Sequence, residues 1–175
     1  DDVGHAVYHC TPEGEVLRTL GTPGQPSDTG IEGTDFRTIK RGAVPFNHPT
    51  NTALDADGRV FVSDGYGNAR VHRFAADGAH ELSWGEPGDG PAEFNIPHAV
   101  VVDPRGRVLL ADRENNRIQV FSPDGKLLTM WTDKSRPNHM FIDADERIFM
   151  AEQGHRSGLA PWQSKQPDKP GGHVS

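Results

Sequence analysis

The sequence is poor in several things, and each lack closes off a class of explanation. One cysteine, Cys10, in 175 residues excludes an intrachain disulfide and any zinc site built on several thiolates. Lys and Arg are scattered and the formal charge is −7, so the basic footprint that neutralises phosphates is missing and nucleic acid is not an expected partner. Apolar runs such as "HAVVVD" are strand-length, far below the roughly 20 residues that cross a bilayer, and no membrane span is expected. Helical periodicity is missing too. The chain opens on Asp1 without a signal-peptide pattern, so processing or truncation is expected to have set this start; secreted and periplasmic locations both stay open.

What the chain has in quantity is turns. With 20 Gly, 14 Pro and 34% hydrophobic residues, it reads as one turn-rich domain of many short strands. "HPTNTALDADGRVFVSDGYGNARVHRFAADGAHELSWG" aligns with "IPHAVVVDPRGRVLLADRENNRIQVFSPDGKLLTMW" at an offset of about 48 residues. Pro49 matches Pro97, Asp55 Asp103, Asp64 Asp112, Phe74 Phe121 and Trp84 Trp131. A third copy opens at "RPNHMFIDADERIFMAE", and "HAVYHCTPEGEVLRTLG" matches the later half of a copy.

Each copy alternates β-branched runs with turn signals and reads as four strands. Four-stranded units at a period of about 40 to 50 residues predict an all-β fold, a β-propeller whose sheets pack radially about a channel. The expected divisions are the end of one blade over 1–24, full blades over 46–86 and 94–133, and the start of another over 136–175. Two long inserts, "TPGQPSDTGIEGTDFRTIKRGAVPFN" and "QGHRSGLAPWQSKQPDKPGG", are candidate rims or lids.

Such a chain supplies about three blades of a ring of about six. The expectation is a segment of a longer protein. The alternative is a ring closed by two copies, the terminal strands of one completing the opening strands of the other.

The first strand of each blade lines the channel, so Thr50, His98 and Asn138 are equivalent positions, and the turns holding Tyr66 and Arg113 come near the same mouth. "FNHPTNTALDADGRVFVSDGYGNARVHRF", "SWGEPGDGPAEF" and "FNIPHAVVVDPRGRVLLADRENNRIQVF" resemble the central blades of peptidyl-α-hydroxyglycine α-amidating lyase and its bacterial NHL-repeat relatives. The resemblance is clearest over Phe46 to Phe121.

It implies that His98 is one of three histidines holding a channel zinc, that Tyr66 is the catalytic base and that Arg113 lies beside it; it also admits calcium. Neutral imidazole is a good zinc ligand, and a tyrosine acting as base near neutrality needs positive charge close by. The implied substrate is a small peptide-like molecule, a peptidyl-α-hydroxyglycine, cleaved at its C–N bond to an amide and glyoxylate. The family's other zinc histidines and a further channel arginine have no assignable counterpart here. Two disulfides of the animal enzymes fall at Asn47 with Gly67 and Leu109 with Val120, which places the sequence nearer the bridge-free bacterial relatives. The alternative function is a non-catalytic NHL propeller that binds a protein or peptide at the channel mouth.

Plainer readings stand beside these. His98 also reads as a polar residue at a strand start, Tyr66 as packing over the mouth, and Arg113 as an ion-pair partner of Asp64 or Asp112. Asp64, Asp112, Asn68 and Asn116 read as turn-formers, and Trp84, Trp131, Phe74 and Phe121 as core between blades. His139 is set aside because strand alternation points it to the other face. No Ser-His-Asp constellation is legible.

Overall fold

A computed structural model describes residues 1–154 together with the short strand at 173–174. Alternation of apolar and polar residues between Gly- and Asp-bearing turns produces short antiparallel strands joined as hairpins. β1 (Val7–Cys10) and β2 (Val16–Leu20) form the first hairpin. β3 (Pro49–Leu54), β4 (Val60–Asp64), β5 (Arg70–Phe74) and β6 (His80–Trp84) form a four-stranded sheet in sequential order. A two-residue parallel pair, β7 (Glu86–Pro87) and β8 (Glu93–Phe94), bridges to the next sheet. That sheet runs β9 (Pro97–Val102), β10 (Val108–Asp112), β11 (Arg117–Phe121) and β12 (Leu127–Trp131), and the last holds β13 (Pro137–Ile142), β14 (Ile148–Glu152) and β15 (His173–Val174).

Sheets with one apolar face must bury it against a neighbour, and here the neighbours are successive sheets. Phe61, Val71 and Trp84 pack with Phe94, Val108, Leu110 and Phe121 in one interlayer. Leu109, Ile118 and Val120 meet Met140 and Met150 in the next, with Trp131 packed against its margin. Leu20 and Phe46 join Val62 and Phe74 between the first hairpin and the first full sheet. The innermost strands β3, β9 and β13 lie side by side, which is the radial stacking of propeller blades.

One turn recurs in the three sheets that follow the first hairpin. Asp55, Asp103 and Asp143 each cap the hairpin between first and second strands: Oδ1 accepts backbone N–H groups two and four residues on, and Oδ2 takes the Nε of Arg59, Arg107 and Arg147 at 2.6, 2.6 and 2.8 Å.

Leu109 and Val120 are direct cross-strand partners, and Gly67 N–H donates to the Asn47 carbonyl at 3.0 Å. Both pairs of positions that carry bridges in the animal lyases are thus neighbours in this chain. The first insert folds behind the Tyr66 turn, where Thr29 Oγ1 donates to the Gly67 carbonyl at 2.7 Å and Asn47 Nδ2 to the Ser27 carbonyl at 2.9 Å. The second insert lies almost wholly outside the described residues.

Candidate active site at the channel mouth

The site begins with a backbone irregularity repeated three times. Pro49 pairs with Asp64 and Asn51 with Ser63, so Thr50 has no opposite number; His98 and Asn138 are skipped in the same way in β9 and β13. A bulge re-aims the side chain it carries, so these three residues leave the strict alternation of their strands. Two of them, Thr50 and His98, then reach the neighbouring blade. Thr50 Oγ1 donates to the Pro97 carbonyl at 2.8 Å, and His98 Nδ1 meets the Asn138 carbonyl at 2.7 Å.

A second repeated feature sets the turns. His48, Ile96 and Arg136, each immediately before the strand-opening proline, have φ of 61°, 52° and 54°. This left-handed conformation is costly, most of all for a β-branched residue. Their carbonyls accept the N–H of Tyr66, Arg113 and Gln153 at 3.3, 3.2 and 3.1 Å. Asp64, Asp112 and Glu152 secure the same junction by accepting the N–H of Asn47, Asn95 and Ser135 at 2.8, 2.7 and 2.9 Å. Tyr66, Arg113 and Gln153 are therefore equivalent by hydrogen bonding.

The structure brings Tyr66, His98 and Arg113 together. Tyr66 Oη lies 2.8 Å from His98 Nε2, with the rings edge to face at 5.5 Å. Arg113 Nη1 is 3.4 Å from the same Oη, and its guanidinium sits 5.4 Å from the Tyr66 ring centre. A carbonyl only accepts, so His98 Nδ1 carries the imidazole proton and Nε2 offers its lone pair to the tyrosine hydroxyl. Burial, and then the charge of Arg113, hold His98 down at about 4, which makes it neutral at pH 7. Tyr66 remains 36% exposed, so the hydroxyl is reachable from the mouth.

Two further residues belong here. Glu114, 1% exposed, accepts Arg113 Nε at 2.9 Å and Arg136 Nη2 at 2.6 Å. Arg113 therefore pairs with Glu114 rather than with Asp64 or Asp112. Asp112 is taken by Arg117 at 2.7 Å, while Asp64 accepts from Asn68 Nδ2 at 2.7 Å and faces His72 Nε2 at 3.3 Å. Burial pushes both carboxyls above the ordinary range, against the opposing pull of His72 on Asp64 and of Arg117 on Asp112. The two aspartates thus tie turn to strand start, a wider task than local turn formation. In the repeat, Glu114 takes the place of Gly67 and Arg136 that of His48; this offset was the available signal for both.

His139 is exposed, yet close enough to help depress His98; the bulge at Asn138 interrupts the alternation that had set it aside. The fold also lines up a Ser-His-Asp chain that is not legible in the sequence: His72 Nδ1 contacts Ser83 Oγ at 2.7 Å, and His72 Nε2 faces Asp64. His72 is fully buried and Ser83 also meets His80 Nε2 at 2.7 Å, so this chain of contacts braces β4, β5 and β6. Among the described residues no group of three or more His, Cys, Asp or Glu side chains converges on one point.

Four-stranded antiparallel sheets stacked through their inner strands make this chain part of a β-propeller. NHL repeats match residues 46–74 and 94–121, so the two full blades carry NHL repeats, and the chain is similar in sequence to NHL repeat-containing proteins and to amidating lyases. It is 37% identical over 163 residues to human NHL repeat-containing protein 3, covering 90% of this chain and 44% of that protein. It is 36% identical over 129 residues to peptidyl-alpha-hydroxyglycine alpha-amidating lyase 1 of Drosophila melanogaster, covering 67% of this chain and 21% of that one. The chain thus spans less than half the length of these relatives. Among solved structures, virginiamycin B lyase of Staphylococcus aureus superposes with a TM-score of 0.59 at 16% identity, over 86% of this chain and 43% of that chain; this likeness concerns the fold.

Proposed function

We propose that this mouth is the reaction centre of a lyase that cleaves the C–N bond of a peptidyl-α-hydroxyglycine or similar carbinolamide. The observation that carries the reading is the contact of Tyr66 Oη with His98 Nε2, made beneath the guanidinium of Arg113. In the reaction Tyr66 acts as the tyrosinate, having given up its own proton beforehand, and its Oη takes the proton of the substrate's α-hydroxyl. The oxygen's electron pair then forms the carbonyl of glyoxylate as the C–N bond breaks, and the departing amide nitrogen takes up a proton. Arg113 stabilises the tyrosinate and pairs with the substrate carboxylate by charge-assisted hydrogen bonds.

His98 suits a zinc ligand. It is neutral, its Nδ1–H is engaged by a backbone carbonyl as in metal-bound histidines, and its Nε2 lone pair, which here accepts from the Tyr66 hydroxyl, is the one a zinc ion would take in place of that proton. It would be one member of a ligand set, and among the described residues no three His, Cys, Asp or Glu side chains converge to complete one. When bound, zinc supplies Lewis-acid polarisation of the substrate oxygen.

The test is release of glyoxylate from a peptidyl-α-hydroxyglycine by the intact, zinc-loaded protein. Catalysed release supports the lyase. No release across a range of such substrates leaves a binding propeller as the better account.

A further inference from the structure

Arg113 faces two demands: its own sequence neighbour, Glu114, is a buried carboxylate, and Tyr66 lies on its other side. A buried carboxylate with a single cation beside it forms a closed, bidentate pair, which would turn the guanidinium away from the mouth. The structure averts this with Arg136, from the blade beyond. Arg136 Nε lies 3.2 and 3.1 Å from the two Glu114 oxygens and its Nη2 2.6 Å from Oε1, while Arg113 reaches Glu114 through Nε alone, at 2.9 Å. Two guanidiniums against one carboxylate leave this corner with a single uncompensated positive charge. Arg136 is itself fixed, its N–H donating to Asn116 Oδ1 at 3.1 Å and its backbone left-handed.

We propose that Glu114 is a positioning residue for a carboxylate subsite: with Arg136 spanning both of its oxygens, it grips Arg113 by Nε and leaves the Nη edge of Arg113 for Tyr66 and an anionic substrate group. The identity of that anion, a carboxylate, rests on the lyase reading; the brace itself rests on the distances. Arg136 acts at one remove, by keeping Glu114 from claiming more of Arg113. Glu114 has the same relation to the substrate, because among the described residues its carboxylate is hydrogen-bonded to the two arginines alone.

Glycolate, the smallest α-hydroxycarboxylate, is the probe. Its binding to zinc-free intact protein labelled with 15N-arginine is followed through the Nε–H resonances, with circular dichroism confirming the fold of each variant. Glu114→Gln removes a negative charge, so simple electrostatics predicts tighter glycolate binding, whereas a positioning role predicts weaker binding. The expected result is a loss of at least about fivefold, with the Arg113 Nε–H becoming fast-exchanging. Tighter or unchanged binding overturns the proposal.

Should Glu114→Gln fail to fold, Arg136→Lys answers at constant net charge. A compact ammonium lacks the planar fork that spans two oxygens, so Glu114 draws Arg113 inward and glycolate binding falls by about threefold. Unchanged affinity in Arg136→Lys overturns the proposal, as does absence of any glycolate response in the wild type. Glycolate binding requires no turnover, so a protein without lyase activity would defeat the reaction assigned above while leaving this result intact.

Discussion

His98 of one blade donates from Nδ1 to the carbonyl of Asn138 in the next, at 2.7 Å. That bond fixes both the tautomer and the tilt of the ring, and it spans two sheets. The imidazole lone pair at the mouth is therefore aimed by the packing of neighbouring blades, and disturbing their interface disturbs the site.

Tyr66→Phe tests the chemistry most directly. It removes the oxygen that contacts His98 and Arg113 and keeps the ring. Stability is expected to change by about 1 kcal/mol or less, while glyoxylate release falls by at least about a hundredfold. Rates matched to the wild type at equal zinc content would make Tyr66 a packing residue.

His98→Ala separates ligand from base. Zinc content after dialysis should fall well below that of the wild type, while Tyr66→Phe retains its metal. Equal zinc in His98→Ala and wild type, measured by mass spectrometry of the metal, would remove His98 from any ligand set.

His98 also gives a pH signature. Its folded value, about 4, lies below the ordinary value near 6.5, so the unfolded chain accepts a proton that the folded chain refuses. The stabilising contribution is complete above about 6.5 and is lost as pH falls toward 4. Asp64 and Asp112, raised by burial, act with the opposite sign, so the comparison is with His98→Gln, which keeps them. Between pH 7 and 4.5 the wild-type urea midpoint should drop more steeply than that of the variant. Parallel slopes in zinc-free protein would contradict the assignment.

Gly85 tests the interlayer. It has φ of +101°, and a Cβ there would lie 2.0 Å from Phe94 Cε2 and 2.3 Å from its Cδ2. Gly85→Ala should cost about 2–3 kcal/mol, since both backbone and packing are offended. Gly24 has φ of +74° with open space around it, so Gly24→Ala should cost about 1 kcal/mol, the backbone share alone. Equal losses in a denaturant titration would show that contact with Phe94 carries no weight.

The strands and their grouping were legible because alternation and Gly-Asp turns are local, and because the same 40-odd residues recur with Pro, Asp and Phe in step. The meeting of Tyr66 with His98 was legible through the repeat, which set both beside one channel mouth. The bulges at Thr50, His98 and Asn138 were not, since a bulge exists only relative to the strand across from it. Nor was the Glu114–Arg136 brace: the two residues lie on different blades, and a charged residue in a turn reads as solvated until a third element buries it. Asp112 was legible as a turn residue, whereas its capture of Arg117 depends on β10 and β11 lying side by side.

The left-handed residues before Pro49, Pro97 and Pro137 have one last consequence. Because His48, Ile96 and Arg136 hold the same backbone shape, and their carbonyls secure the turns of Tyr66, Arg113 and Gln153 through main-chain atoms alone, the channel rim is a row of identical sockets. The plugs differ: a phenol, a guanidinium and an amide. Exchanging them alters the reactivity of the rim without rewriting the scaffold, so a family built on this frame can diversify its chemistry one socket at a time.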